Sequence, residues 1–257
     1  MNDSLSTRAR LLALLYGAVC HLSFLAGVAA MVYALHEGLQ SGQGPFRGWA
    51  AVAANAALVL QFPLVHSYVL SKRGRPLLAR LAPAGLGRPL ATTLFATFAS
   101  LQLLAVFTLW SPSGIVWFEP VGAARIGFQV AYGVSWVLVV KTMGDAGLGT
   151  QLGYLGWFSL ARGKQPTYPP FPQQKSFKVC RQPVYLAFAL TLWTGPVWTP
   201  DHLAIALIWT GYCALGPLVK ERRYEALYGE EFRRYQEVVP FFPGLRPQPR
   251  VRSGAAA

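Results

Sequence analysis

The chain has 257 residues, of which 53% are hydrophobic and 13% charged, with a mean hydropathy of +0.35. Average soluble domains carry roughly a quarter charged residues, so a soluble globular domain is excluded. The formal charge of +13 is better explained by membrane topology and attraction to anionic headgroups than by nucleic-acid binding.

A membrane-crossing helix needs ~20 mostly apolar residues. Six stretches approach that length: Leu11–Leu35, Gly48–Leu70, Pro89–Trp110, Ile126–Met143, Pro183–Trp198 and His202–Val219. The first is too long for a signal-peptide core and lacks a small-residue cleavage site, so it reads as a true span. Only Thr199-Pro200-Asp201 separates the last two, which are short and read as a tight helical hairpin or as two half-depth segments. The expected fold is all-α: a polytopic transmembrane helical bundle of about five to six spans, with a C-terminal helical hairpin and a cytoplasmic C-terminal helix.

Lysine and arginine set the orientation. With the N-terminus inside, the inner stretches hold Arg8 and Arg10, then Lys72, Arg73, Arg75, Arg80 and Arg88. Lys141, Arg162, Lys164, Lys175, Lys178 and Arg181 follow, and the tail adds Lys220, Arg222, Arg223, Arg233, Arg234, Arg246, Arg250 and Arg252. These are 21 of the 23 basic residues; only Arg47 and Arg125 fall outside. The positive-inside rule therefore predicts an even number of crossings with both termini cytoplasmic.

The chain divides within one membrane domain, 1–257. Four N-terminal spans occupy 9–143, and a cytoplasmic proline-rich loop follows over 144–182. The hairpin covers 183–219, a cytoplasmic segment 220–244, and a disordered basic tail 245–257. In the loop, Gln165-Pro166-Thr167-Tyr168-Pro169-Pro170-Phe171-Pro172 forbids helix and favours an extended path. Aromatic-rich Leu152–Ala161 is a candidate interfacial helix. Glu221, Tyr224 and Tyr228 share one helical face, which Phe232 and Tyr235 extend if Gly229 does not end the helix. Headgroup anchoring would equally explain that stripe. Cys20, Cys180 and Cys213 show no CxxC spacing, and the four histidines offer no metal pair, so no metal is implied.

Polar groups inside a membrane are candidates for function. His66 lies near the inner end of the second span; His21 lies mid-span in the first and reads as an interhelical hydrogen-bonding residue; Lys141 reads as snorkelling. The more informative stretches are Arg181-Gln182-Pro183-Val184-Tyr185 and Glu221-Arg222-Arg223, which a hairpin brings to one membrane face. Pro183 suits a first helical turn. A helix N-terminus and Arg181 would attract a carboxylate, and Glu221 would accept from hydroxyls or an amine. That combination suits a zwitterionic cofactor held against an apolar cavity; ordinary flanking charges are the plain alternative.

These segments resemble the integral-membrane S-adenosylmethionine (SAM)-dependent methyltransferases, which include isoprenylcysteine carboxyl methyltransferase and the phospholipid methyltransferases. The shared pattern is Arg-His-Pro-x-Tyr at the start of a helical hairpin and Glu-Glu at its exit. Here it stands as CRQPVYLAFALTLWTGPVWTPDHL followed by KERRYEALYGEEFRRYQEVVP. Within that group the chain is most similar to membrane methanethiol S-methyltransferases, from about Leu60 to Pro240. His66-Ser67 with Arg75-Pro76, Trp110-Ser111-Pro112 ahead of Trp117, and the loop GKQPTYPPF carry the rest of the likeness.

The resemblance implies a SAM cofactor held by Arg181, Gln182, Pro183, Tyr185, Leu186, Glu221, Tyr224 and Tyr235 under the 220–244 segment. It implies methyl transfer to a small hydrophobic thiol such as methanethiol, giving dimethyl sulfide, with His66, Arg181 and Glu221 as catalytic candidates. Methylation of a lipid or prenylcysteine carboxylate, or a non-catalytic binding or assembly role on the same scaffold, stays open, as does oligomeric state. Two positions depart from the pattern: Gln182 stands for the histidine and Lys220 for the first glutamate. Gln keeps hydrogen bonding without charge, and Lys220 reverses a sign, so weaker SAM binding, another substrate or lost activity would each be consistent. Replacing Glu221 with Ala is expected to lower SAM affinity with the fold intact.

Overall fold

The apolar stretches become helices because a backbone in lipid must satisfy its own hydrogen bonds. The computed structural model describes residues 6–83 and 85–247, which form ten α-helices. In order they are α1 (Thr7–His36), α2 (Gly48–Val69), α3 (Gly74–Ala79), α4 (Ala91–Thr108), α5 (Gly122–Asp145), α6 (Leu148–Gln151), α7 (Tyr154–Ala161), α8 (Pro183–Trp193), α9 (Pro200–Tyr228) and α10 (Glu230–Val238). Among the described residues five are long and apolar enough to cross a bilayer: α1, α2, α4, α5 and α9. Leu11, Leu22, Val52, Ile126 and Val137 point outward from them, the apolar exterior that a multi-pass bundle presents to lipid. The basic tail from residue 248 onward, with Arg250 and Arg252, lies outside the described residues.

α1 runs along α4, and Gly27 permits a close approach between them. A side chain there would meet the Ser100 carbonyl oxygen within 2.6 Å. The central core joins Leu35, Phe62, Phe107, Trp110, Leu192, Ile205 and Trp209. Trp209 donates to the Val59 carbonyl at 3.0 Å, tying α9 to α2. His21 accepts from Trp157 Nε1 at 3.0 Å, the interhelical role read for it. The aromatic segment α7 lies against α1 and α4, with Leu160 fully buried. Lys141 reaches out to Asp145 one turn on, at 2.5 Å.

The hairpin differs from the simple expectation. α8 has only 11 residues, about 16 Å of helix, too little to cross alone. Thr194–Thr199 continues to α9 without helix, and Gly195, Pro196 and Val197 are buried there. Such backbone is tolerated at membrane depth when protein covers it. Trp198 N donates to the Phe118 carbonyl at 2.8 Å, and Phe118 N returns a bond at 3.2 Å. The two ring nitrogens of fully buried His202 face the carbonyls of Leu192 and Val197 at 2.8 and 3.0 Å. Thr199 caps α9 by accepting from His202 N at 2.9 Å, and Pro200 takes the first-turn position that its missing N–H suits.

The same end is held by Asp201. Its carboxylate accepts from Trp110 Nε1 at 3.1 Å, Gln40 Nε2 at 3.1 Å, and Ser113 N and Oγ at 2.9 and 2.5 Å. Asp201→Ala leaves the buried Trp110 indole N–H unsatisfied, at about 1–3 kcal/mol per such group. Thermal unfolding in detergent should show a clear loss of stability for Asp201→Ala and a smaller one for Asp201→Asn. Native-like melting of the alanine variant would contradict this anchoring role.

Candidate functional site

The opposite end gathers the two motif stretches. Pro183 opens α8, which places Gln182 as the residue before its first turn. α9 continues past the bundle as one helix to Tyr228 and so carries Lys220 and Glu221 beside Arg181 and Gln182. Gly229, at φ 53° and ψ −121°, ends α9 and turns the chain into α10. That conformation favours glycine. The helix therefore does break there, yet Phe232 and Tyr235 still join the stripe, because α10 folds back on α9.

Arg181 is 2% exposed and Glu221 4%. Arg181 Nε donates to Glu221 Oε1 at 2.8 Å, and Nη2 to Oε2 at 3.2 Å. Nη1 donates to the carbonyls of Gln236 at 3.2 Å and Val239 at 2.6 Å, and the guanidinium lies 5.5 Å from the Phe241 ring centre. Glu221 also accepts from Gln182 Nε2 at 2.6 Å and Gln236 Nε2 at 2.9 Å. Four donors fill the acceptor sites of one carboxylate. The pair thus fastens the start of α8, the shaft of α9 and the end of α10. Glu221 serves protein donors, rather than standing open to a ligand as its sequence position suggests.

Over this pair lies an aromatic cover. Phe171, from the proline-rich segment, meets the rings of Tyr224, Tyr228, Phe232 and Tyr235 at 5.9, 4.8, 5.1 and 5.6 Å. Phe232 is 2% exposed, so the stripe is a packed cluster, not a headgroup anchor. Tyr235 donates to the Phe177 carbonyl at 2.6 Å. Burial pushes its phenol up, against the nearby Arg181 charge, so it stays a donor. Burial likewise pushes the Cys180 thiol up, which leaves it a poor nucleophile.

A cavity of about 10 Å³, room for a single water, is lined by Arg181, Gln182, Lys220, Tyr224, Tyr235 and the neighbouring phenylalanines. Beside it opens a groove of about 620 Å³ between the proline-rich segment and α10, and Tyr235 lines both. Lys220 Nζ donates to Gln182 Oε1 at 3.0 Å and faces the rings of Tyr185 and Tyr224 at 5.5 and 5.6 Å.

Of the sequence candidates, Arg181, Gln182, Tyr224 and Tyr235 line the cavity and Glu221 sits behind them. Pro183 starts the helix and Tyr185 touches Lys220. Leu186 and His66 are not among the lining residues. His66 lies between Phe62, Phe95 and Tyr212, with ring distances of 4.9, 4.7 and 6.4 Å. Its buried Nδ1 has no hydrogen-bond partner. It connects to the site through Tyr212, which meets Tyr185 at 6.3 Å. Sequence reasoning missed Phe171, Phe177 and Gln236 as site residues. The proline run around Phe171 was visible, but its docking partner was not.

The motif stretches gathered here are the ones whose sequence resembles the integral-membrane methyltransferases of the isoprenylcysteine carboxyl methyltransferase superfamily. Similar curated proteins carry the name methanethiol S-methyltransferase. That of Crocosphaera subtropica is 27% identical over 241 residues, 90% of this chain and 91% of its own. That of a Pseudomonas species is 27% identical over 248 residues, 95% and 94% of the two chains. Methanethiol S-methyltransferase 1 of Bradyrhizobium diazoefficiens is 28% identical over 190 residues, 74% of this chain. The match spans 65% of that protein, just under two thirds of its length. No family model matches, and no solved structure matches.

Removing one partner of a buried ion pair leaves the other charged and unpaired, at about 3–5 kcal/mol. Glu221→Ala is therefore expected to compromise the fold, contrary to the expectation from sequence. The double variant Arg181→Met with Glu221→Leu should melt higher than Glu221→Ala. Melting of Glu221→Ala at the native temperature would contradict the clamp.

Proposed function

We propose that this protein transfers a methyl group from SAM to a small thiol such as methanethiol, releasing a methyl thioether such as dimethyl sulfide. One observation carries the reading. The two motif stretches that the resemblance assigns to the cofactor, forty residues apart, meet in one buried hydrogen-bonded site. The names of the similar proteins support a thiol acceptor.

The chemistry of the site fits the cofactor. The rings of Phe171, Tyr224, Phe232 and Tyr235 suit a sulfonium cation and a flat nucleobase. Gln182 and Lys220 provide polar contacts at one wall. The space does not fit in the closed form, since ligand pockets run from about 300 Å³ upward. In this reading α10 swings on Gly229, giving up the Gln236 and Val239 bonds to the ion pair while the Arg181–Glu221 contact stays, and carries Tyr235 aside, which merges the cavity with the neighbouring groove.

When bound, SAM supplies an electrophilic methyl on a sulfonium sulfur, which keeps the bonding electron pair as the acceptor sulfur forms its new bond to that methyl. The protein's residues do the rest. Phe171, Phe232 and Tyr235 exclude water, which favours a step in which thiolate and sulfonium charges cancel. Arg181 and Glu221 hold α8 and α9 in register, so that donor and acceptor align. His66 stands behind Tyr212, off the cavity wall and beyond the hydrogen-bond reach a general base needs, so the acceptor reacts as a thiolate that has already lost its proton to solvent. With the arginine-rich end facing the cytoplasm, as the basic residues predict, SAM enters from the cytosol. The apolar acceptor enters from the lipid side.

The saturated Arg181–Glu221 pair favours one rival, a non-catalytic protein on this scaffold. Incubation of the purified protein with methyl-labelled SAM, methanethiol, phospholipids and prenylcysteines separates the readings. Label is expected in dimethyl sulfide. Label in lipid or prenylcysteine would move the acceptor, and an absence of both label transfer and calorimetric SAM binding would select the rival. For the α10 motion, Gln173 and Glu231 hydrogen-bond at 3.1 Å across the groove. Cross-linking these two positions should abolish SAM binding until the link is cleaved. Undiminished binding in the cross-linked protein would exclude the hinge.

A further inference from the structure

The two positions that depart from the resembled pattern touch each other. Lys220 Nζ donates to Gln182 Oε1 at 3.0 Å. A histidine and a glutamate would place a donor at 182 and an acceptor at 220; Gln and Lys reverse the direction and keep a bond. The reversal also changes the charge of the cavity wall. Arg181 and Glu221 neutralise each other in a two-point ion pair, and Glu221 has no acceptor site left for Lys220. Lys220 is therefore the uncompensated charge on the wall, positive where the pattern has a negative one. Its ammonium has three N–H groups. One goes to Gln182, and the others lie among the rings of Tyr185 and Tyr224.

A wall of this kind selects against a bare cation and for a ligand with an anionic group beside an apolar or aromatic body. We infer that Lys220, held in place by Gln182, is the anchor for the carboxylate of the methyl donor's amino-acid portion. This rests on the reading of the site as a SAM site and deepens it. The ammonium meets the carboxylate, while the aromatic cluster takes the sulfonium and nucleobase. The proposal makes the carboxylate the group that specifies the ligand. It also turns the two departures into one coupled change: Gln182 orients Lys220, which a histidine donor at the same place would repel when protonated.

The test is equilibrium binding, with no turnover required. Native protein and the variants Lys220→Gln and Lys220→Arg are titrated with S-adenosylhomocysteine, SAM and decarboxylated SAM, which lacks only the carboxylate. In Lys220→Gln the affinity for the two carboxylate ligands should fall about ten-fold or more, the scale of a lost charged hydrogen bond. Affinity for decarboxylated SAM should hold or rise, since a repelling charge has gone. Lys220→Arg should stay within about three-fold of native, because the charge is kept. The combined change Gln182→His with Lys220→Glu should bind decarboxylated SAM at least as well as S-adenosylhomocysteine. Each comparison is between ligands on one preparation, so partial unfolding of a variant does not imitate the result. Equal losses for all ligands in Lys220→Gln, or no loss, would overturn the anchor alone. Failure of the native protein to bind any of the three would overturn the SAM reading, and the anchor with it.

Discussion

Arg181 and Glu221 leave water together, and the arginine-rich end of the bundle is built around that pair. Burying either ion alone is strongly unfavourable, whereas a pair with every lone pair and most N–H groups engaged is tolerated. Satisfying them dictates where other parts go. Gln182 must precede α8 closely enough to reach Glu221 at 2.6 Å, and the Gln236 and Val239 carbonyls must converge on the guanidinium. α10 can meet that demand only because Gly229 turns the chain back. The aromatic cover then follows, since a returning α10 brings Phe232 and Tyr235 onto Tyr224, and Phe171 closes the cluster.

Much of the fold was legible because lipid imposes a simple rule. All six apolar stretches appear as helices near their expected places, with five long and one short. The short one was less legible. Composition measures how apolar Pro183–Trp198 is, not where its helix ends. The change to non-helical backbone at Thr194–Thr199 depends on its neighbours: the Phe118 backbone, and His202 against the Leu192 and Val197 carbonyls. The anchor at Asp201 was hidden for a related reason. Its partners Gln40, Trp110 and Ser113 come from distant loops that no local pattern connects.

The candidate site was legible in its ingredients and not in their state. Hairpin topology brought Arg181 towards Glu221, but a sequence cannot show that four protein donors occupy the carboxylate. Nor could it show that Lys220 and Gln182 are bonded to each other, or that Phe171 roofs the site. His66 illustrates the same limit. Its depth in the second span was readable, but the helix face was not, and it stands behind Tyr212 rather than at the cavity wall. These outcomes turn on side-chain direction and on α10 folding back, both set by tertiary packing.

The central claim is that a SAM-type ligand binds beneath α10, between the Arg181–Glu221 pair and the aromatic cover. Hydrogen–deuterium exchange of the purified protein, with and without S-adenosylhomocysteine, addresses it most directly. Ligand should change exchange in residues 171–182 and 220–239 and leave the loops around Asp201 unaffected. A ligand that binds but protects only other segments, or a protein in which neither of these two segments responds, would contradict it.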